Sequence, residues 1–123
     1  MIPEPACGDH RMDTSGFTGS QNWYRHPMVR SITYTDGARY VAETAQAYWL
    51  LDEIALAQQF NARVKTEEFQ VWTLGVTGTT AVLSCQDGNE NTVFSKQIGY
   101  TDFPEPEVIL WYTNNVIYLP SEH

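Results

Sequence analysis

Positive charge is scarce in this chain, above all in its second half. Residues 66–123 contain one cation, Lys96, against eight carboxylates, whereas residues 1–65 contain six arginines and lysines against seven carboxylates. The formal net charge of −8 therefore divides into −1 for the first part and −7 for the second. Such a chain repels phosphate backbones and attracts basic protein surfaces. Direct nucleic-acid binding is not expected, because duplex binding depends on neutralising phosphates.

Long apolar runs and a targeting signal are also missing. No run approaches the roughly 20 apolar residues that cross a bilayer, and Met1 to Pro5 lack the basic start and apolar stretch of a signal peptide. We therefore expect a cytoplasmic protein with no membrane contact. Cysteine is scarce too: Cys7 and Cys85 are the only two. Without export, two reduced thiols are a simpler interpretation than a disulfide, and Cys85 is predicted to be buried.

Apolar and aromatic side chains are abundant, at 42% and 13% of the 123 residues. This composition supports a single folded domain. Residues 1–20 are rich in Gly, Ser, Thr, Pro and Asp and show no periodicity, so they are predicted to form a flexible leader. The domain is then expected to cover residues 21–123.

The remaining pattern predicts an α+β fold, an antiparallel meander of about six or seven strands with one main helix packed on one face. Residues 31–34 and 39–42 are predicted strands joined by a hairpin turn at Asp36-Gly37. One helix is expected over residues 45–60. Alternating patterns after Asn61 predict strands over residues 68–76, 80–86, 92–100, 108–112 and 116–119.

The predicted helix has apolar residues on two sides. Ala47, Leu50, Leu51, Ile54 and Ala57 form its packing face with Gln58, and Trp49, Leu56 and Phe60 form a stripe on roughly the opposite side, with Glu53 beside it. A helix on an open sheet needs one apolar face. Either the leader or the first hairpin covers the second stripe, or the stripe is a partner-binding ridge.

Motifs for chemistry are weak throughout the chain. Cys7 and His10 have the spacing of half a zinc site, but no second half can be found. The segment from Asp87 to Asn91 begins like a calcium loop, yet Ile98 stands where a bidentate glutamate is needed, so a hairpin turn is the better interpretation. No phosphate-binding loop or Ser/His/Asp set is present. We predict no catalytic residue, metal or cofactor.

Several ordered blocks of sequence carry a resemblance to a known family. The chain resembles an uncharacterised family of small bacterial, phage and plasmid proteins, catalogued as a domain of unknown function. The resemblance implies no activity or site residue, but it implies a gene carried on mobile elements. The blocks are Trp23-Tyr24, Tyr34-Thr35-Asp36-Gly37, Ala47 to Ile54, Glu68 to Trp72, Cys85 to Asn89, Tyr100 to Pro104 and Leu119 to Glu122.

These observations favour a non-enzymatic acidic binding protein of a mobile element. It is expected to inhibit a host nucleic-acid-handling or defence complex, such as a CRISPR effector, by occupying a basic surface. The acids are expected to share one exposed patch, and aromatic side chains to anchor the partner. The predicted binding residues are Trp49, Glu53, Leu56, Phe60, Glu90, Asp102, Glu105 and Glu107.

Two alternatives remain open. The first is a small enzyme or ligand-binding domain, in which the helix and a concave sheet enclose an aromatic pocket lined by Trp72, Phe94, Trp111 and Tyr112. The second is a structural or regulatory homodimer built through the edge hairpin from Val108 to Leu119. A cleft with convergent polar groups would favour the first, and a concentration-dependent mass in solution would favour the second.

Overall fold

The structure, a computed structural model, describes residues 22–122. The α+β class is confirmed, with three α-helices in this part of the chain where the sequence pattern predicts one. The predicted leader, residues 1–20, lies outside the described residues. The elements are β1 Trp23–Arg25, β2 Thr33–Thr35, α1 Asp36–Thr44, α2 Tyr48–Phe60, α3 Ala62–Lys65, β3 Phe69–Thr77, β4 Thr80–Gln86, β5 Thr92–Ile98, β6 Glu107–Thr113, β7 Val116–Tyr118 and the 3-10 helix Pro120–Glu122.

The strands form one seven-stranded sheet in the order β1-β2-β7-β6-β3-β4-β5. Most neighbours are antiparallel, as predicted, but β2 and β7 are parallel, with Thr33 opposite Val116 and Tyr34 opposite Ile117. The prediction of a wholly antiparallel sheet was therefore wrong. Three helices and four strands separate β2 from β7 along the chain, and parallel pairing requires a long connection of this kind.

Helix α1 replaces the hairpin that was predicted between residues 31 and 42. Thr35 is its N-cap and accepts a hydrogen bond from the Ala38 N–H, which satisfies one of the free donors at the helix start. The buried residues Gly37, Ala38, Val41 and Ala42 have the spacing of one helix face. Asp36-Gly37 is therefore the first turn of a helix, and the predicted return strand from Arg39 to Ala42 was wrong.

Helix α2 corresponds to the predicted helix and packs as expected. Leu50, Leu51, Ile54 and Ala57 are buried, and they join Trp72 of β3 in one core cluster. The helix begins later than predicted, at Tyr48, because Gln46 adopts a positive φ of 53° and interrupts the path between α1 and α2.

All three helices lie on one face of the sheet, the packed face. Arg39 of α1 lies over the Tyr24 ring at 4.6 Å, Tyr48 of α2 meets Tyr34 edge to face, and the Val64 carbonyl of α3 accepts a hydrogen bond from Gln70. The register places a second set of side chains on the opposite face, where no described α-helix packs. We call this the outer face; its larger members are Phe69, Val71, Val82, Ile109, Trp111 and Tyr118.

Candidate functional site

The predicted helix stripe does not form an exposed ridge. Trp49 and Leu56 are half-buried and pack against the core, and Phe60 alone among the three apolar members is well exposed, at 74%. Glu53 lies on the same side of α2 and accepts a hydrogen bond from Lys96 of β5, with 2.7 Å between Oε2 and Nζ. This bond places Glu53 beside β5. The second side of α2 is therefore partly covered within the fold, and Phe60 remains exposed at its end.

The predicted acidic residues lie at two ends of the sheet. Glu90 belongs to the turn between β4 and β5, whereas Asp102, Glu105 and Glu107 lie between the end of β5 and the start of β6. Strand β4, of seven residues, spans the distance between these ends, about 20 Å at roughly 3.4 Å per residue. The structure therefore brings three of the four acids into one loop region and leaves Glu90 apart.

The predicted aromatic pocket is also divided. Trp72 and Phe94 pack together at a centroid distance of 5.5 Å on the packed face, where Trp72 is 1% exposed. Trp111 lies on the outer face, because it pairs with Val71 rather than with Trp72. Tyr112 lines a cleft. The four side chains that were predicted to enclose one ligand are therefore divided between the two faces of the sheet.

A different cleft lies at the end of the sheet where β3 begins and β6 ends. It has a volume of about 600 Å³, within the usual range of roughly 300–1,000 Å³ for ligand sites. Four segments surround it: the β1–β2 loop, the last turn of α2, the connection from α3 to β3, and the β6–β7 turn. The lining residues are Val29, Ser31, Ile32, Gln58, Gln59, Lys65, Glu67, Glu68, Tyr112, Thr113, Asn114 and Asn115.

The β6–β7 turn presents two amide side chains to this cleft. Asn114 and Asn115 have φ values of 54° and 65°, and this left-handed pair is the conformation of a two-residue hairpin turn in which asparagine is favoured. The Tyr112 hydroxyl donates a hydrogen bond to Asn115 Oδ1 at 3.2 Å. Burial raises the pKa of Tyr112, so the phenol keeps its proton and remains a donor at neutral pH.

The wall behind the cleft is a buried amide network around Gln70. Gln58 and Gln70 exchange two hydrogen bonds, at 2.6 and 2.9 Å. Gln70 Nε2 also donates to the carbonyl oxygens of Val64 and Glu67, and Gln70 Oε1 accepts from the Trp72 indole N–H at 2.9 Å. This network joins α2, α3 and β3, and a wall held by so many bonds is pre-organised rather than adaptable.

Three charged side chains stand at the rim of the cleft. Lys65, Glu67 and Glu68 form no ion pair with any residue between 22 and 122. Lys65 and Glu68 are exposed, and Glu67 is half-buried. One cation and two carboxylates thus stand around a concave polar surface. This arrangement can bind a ligand that carries charges of both signs.

Sequence reasoning did not identify this cleft. The hairpin from Val108 to Leu119 was predicted, and its turn contains Asn114 and Asn115. The two glutamates Glu67 and Glu68 stand directly before β3 in the sequence. The β1–β2 loop reaches the same place only because β2 pairs with β7, and no pattern within a short strand reveals its neighbour. The polar residue types that line the cleft could be seen in the sequence, but their meeting at one place could not be predicted.

His26 lies beside this region and is structural. Its ring is 1% exposed. Nδ1 accepts hydrogen bonds from the N–H groups of Met28 and Val29, which leaves Nε2–H to donate to Asp52 Oδ1 at 2.8 Å. Both ring nitrogens are therefore occupied in holding the β1–β2 loop against α2. The predicted half zinc site at Cys7 and His10 lies outside the described residues.

The fold and the cleft together define a small α+β domain with a mixed seven-stranded sheet and a polar end cleft. The chain belongs to DUF6876, a family of unknown function, whose model matches residues 10–123. Comparisons with curated proteins and with solved structures gave no match. No helix among residues 22–122 is long and apolar enough to cross a membrane.

Proposed function

We propose that the protein is a non-enzymatic binding domain that holds a small zwitterionic ligand in the end cleft. The observation that carries this proposal is the unpaired set of Lys65, Glu67 and Glu68 around a cleft of about 600 Å³. Lys65 supplies a cation for a carboxylate, and the two glutamates supply anions for an ammonium group. A free amino acid or a short peptide has this chemistry.

The amide groups give the same cleft its selectivity. Gln59 and Asn114 each carry a donor and an acceptor, and their side chains form no hydrogen bond with a described residue. Gln58 is held by two hydrogen bonds with Gln70. A rigid wall and two uncommitted amides favour a polar ligand over an apolar one, because an apolar ligand would leave these amides unsatisfied.

The test is a titration of the isotopically labelled protein with each of the common free amino acids at millimolar concentration. We expect at least one of them to shift the NMR signals of the Gln59 and Asn114 side-chain amides. Lys65→Ala and Glu67→Gln should each weaken this binding. Arg63→Ala is the matched control, since Arg63 lies on α3 but does not line the cleft. If none of the amino acids shifts a signal of a cleft residue, the proposal is contradicted.

A second candidate follows from the loop between β5 and β6. Asp102 and Glu107 are exposed and form no ion pair with a described residue. Asp102 follows Tyr100, which is 72% exposed, by two residues, and Glu107 begins β6 at the same end of the sheet. Carboxylates beside an exposed aromatic ring can receive a basic protein surface. Under this candidate the protein is an inhibitor of a host nucleic-acid-handling or defence complex, for example an anti-CRISPR protein of a mobile element. The contact with the partner is then made by the loop between β5 and β6.

This candidate is tested with a lysine-rich peptide as the probe. We expect the peptide to shift the signals of Tyr100, Asp102 and Glu107 at low ionic strength, and the shifts should shrink as salt is added. Asp102→Lys with Glu107→Lys should abolish them. Glu90→Lys, at the opposite end of the sheet, is the control and should preserve them. Equal loss in the control variant would show that net charge, not this loop, governs the contact.

A further inference from the structure

The β1–β2 loop, residues 26–32, forms one wall of the end cleft and is fastened to α2 by a histidine. Val29, Ser31 and Ile32 of this loop line the cleft. The buried His26 ring connects the same loop to α2, where Nε2 lies 2.8 Å from Asp52 Oδ1. The position of this wall therefore depends on the bonds of one imidazole ring.

Nδ1 of His26 holds the backbone of the loop. It accepts hydrogen bonds from the N–H groups of Met28 at 3.2 Å and Val29 at 3.1 Å. Asn61 makes the same pair of bonds before α3, where its Oδ1 accepts from the N–H groups two and three positions later, at 3.1 and 3.0 Å. Asparagine commonly holds local backbone in this way. It has no proton to gain, whereas imidazole is the side chain that ordinarily changes charge between pH 5 and 8.

Protonation of the ring reverses the role of Nδ1. A neutral ring with its hydrogen on Nε2 donates to Asp52 and accepts at Nδ1, whereas a protonated ring is a donor at both nitrogens. The added hydrogen would face the N–H groups of Met28 and Val29, which are donors themselves, so both loop bonds would be lost. The bond to Asp52 would become charge-assisted and stronger. A proton therefore keeps the ring on α2 and releases the loop.

The charges around the ring come from three places. Asp52 of α2 is in contact with the ring, and its 38% exposed carboxylate offsets part of the cost of a buried cation. Arg25 at the end of β1 and Arg30 in the loop are the nearest cations along the chain, and Arg25 Nη1 donates to the Arg30 carbonyl oxygen at 2.7 Å. The charges of the cleft rim, Lys65, Glu67 and Glu68, belong to the connection from α3 to β3 and not to this loop.

We propose that His26 is a pH-sensitive latch on the end cleft, whose protonation frees the backbone at Met28 and Val29 and so opens the loop wall. The bound ligand is then held at neutral pH and released in mild acid. This release rests on the cleft function proposed above, whereas the opening of the loop does not. Val29 joins the two events, because it lines the cleft and its own N–H makes one of the bonds that would be lost.

Hydrogen exchange of the full chain without ligand, followed by NMR at about pH 7 and about pH 5, tests the latch. Relative to the intrinsic exchange rate at each pH, the protection of the Met28 and Val29 amides should fall several-fold in acid. The signals of the His26 ring should titrate over the same range. The Arg63 and Val64 amides, which are held by an asparagine, are the internal control and should keep their protection.

Two substitutions separate the roles of the two ring nitrogens. His26→Asn keeps an acceptor near the position of Nδ1 and cannot be protonated, so the loop amides should stay protected at both pH values. His26→Gln reaches towards Asp52 but lacks this acceptor, so the loop amides should be unprotected at both. The affinity for an amino acid that binds at neutral pH should fall several-fold in acid in the unmodified protein, and it should stay constant in His26→Asn.

The latch is overturned if the Met28 and Val29 amides keep their protection while the His26 ring is protonated, or if the ring remains neutral at the acid pH. A loop that opens without any loss of affinity would remove the link to ligand release. If no amino acid binds at neutral pH, the proposed cleft function fails, and the exchange measurement still decides the latch by itself. The unmodified protein gives this answer even where a substitution of His26 lowers the stability of the fold.

Discussion

At the scale of single residues, Gln70 is a buried polar side chain that links three elements of the fold. It is fully buried, and the alternation of β3 places it on the same face as Trp72 and Leu74, although its side chain is polar. A buried amide is tolerated only when its donors and acceptor are satisfied. Gln70 meets this condition by bonding to five residues: Gln58, Val64, Glu67, Trp72 and the Cys85 thiol.

Gln70→Leu should lower the free energy of unfolding by about 2–4 kcal/mol, because it leaves the Trp72 indole N–H and the Gln58 amide without buried partners. Urea unfolding monitored by tryptophan fluorescence measures this loss. Gln97→Leu is the matched control, since Gln97 is an exposed glutamine on β5. Similar losses in the two variants would contradict the role assigned to the network.

The fate of single residues was partly predictable from the sequence. Cys85 was expected to be a buried thiol, and it is 0% exposed, with its pKa raised to about 12 by burial. An alternating apolar strand fixes such a position locally. Gln70 was not recognised, because the partners that satisfy it come from α2, α3 and β3 together, and only the folded chain brings them to one place.

At the scale of elements, the turn between β4 and β5 shows how a local motif fixes a register. Asp87 Oδ1 accepts hydrogen bonds from the N–H groups of Asn89 and Asn91, at 2.8 and 2.9 Å. These bonds, above all the one from Asn91, lower the pKa of Asp87. The predicted hairpin turn is present, and the arrangement that resembled a calcium loop is a carboxylate capping its own backbone.

Asp87→Ala should destabilise the protein at neutral pH and have little effect in strong acid. A lowered pKa in the folded state means that the ionised carboxylate contributes stability above its unfolded pKa of about 3.9, and that this contribution is lost as the pH falls through the folded value. Urea midpoints of both proteins from pH 7 down to the acid limit of the fold measure it. Asp102→Ala, in an exposed loop, is the control. A difference that stays constant with pH would contradict the linkage.

The helices and strands were predicted correctly where a periodic pattern of apolar residues extends over many positions. Strands β3, β4, β5 and β6 and helix α2 were placed to within a few residues, because their alternation or helical period extends over many positions. Helix α1 was missed. Asp36-Gly37 is a common pair in hairpin turns, so it was interpreted as a turn. The sequence evidence for a helix is weaker: one N-cap residue, Thr35, followed by small residues that are buried in the structure.

At the scale of the whole molecule, the C-terminal end is fastened to the start of α1. The Glu122 carboxylate accepts hydrogen bonds from the Thr35 hydroxyl at 2.7 Å, from the Gly37 N–H at 3.2 Å and from the Leu119 N–H at 2.9 Å. A carboxylate at a helix N-terminus is favoured by the free N–H groups there. The contact also explains Gly37, since an added Cβ would lie 2.5 Å from Glu122 Oε1.

Glu122→Ala should lower the free energy of unfolding by about 1–3 kcal/mol, because the Thr35 hydroxyl and the Gly37 N–H lose a charged acceptor. Thermal unfolding monitored by circular dichroism measures the change. Glu107→Ala removes an exposed glutamate from β6 and serves as the control. Hydrogen exchange should further show faster opening at the start of α1, and unchanged exchange there would contradict the fastening role.

The arrangement of the elements in the whole fold was the hardest feature to predict from the sequence. The charge asymmetry between the two halves is real, but the strand order divides Glu90 from the acids of the β5–β6 loop. Glu53, which was predicted to meet a partner, forms an ion pair with Lys96, the single lysine or arginine of the second half. Charge counted along a chain does not give a charge pattern on a surface, because the topology decides which residues become neighbours.

The position of β7 within the sheet has a consequence for how the protein is made. Of the seven described strands, β7 is synthesised last, yet it lies between β2 and β6 and pairs with both. The β1–β2 pair therefore cannot join the rest of the sheet until β7 has left the ribosome. Pairing between such distant segments slows folding, so the edges of β2 and β6 that pair with β7 stay exposed until then.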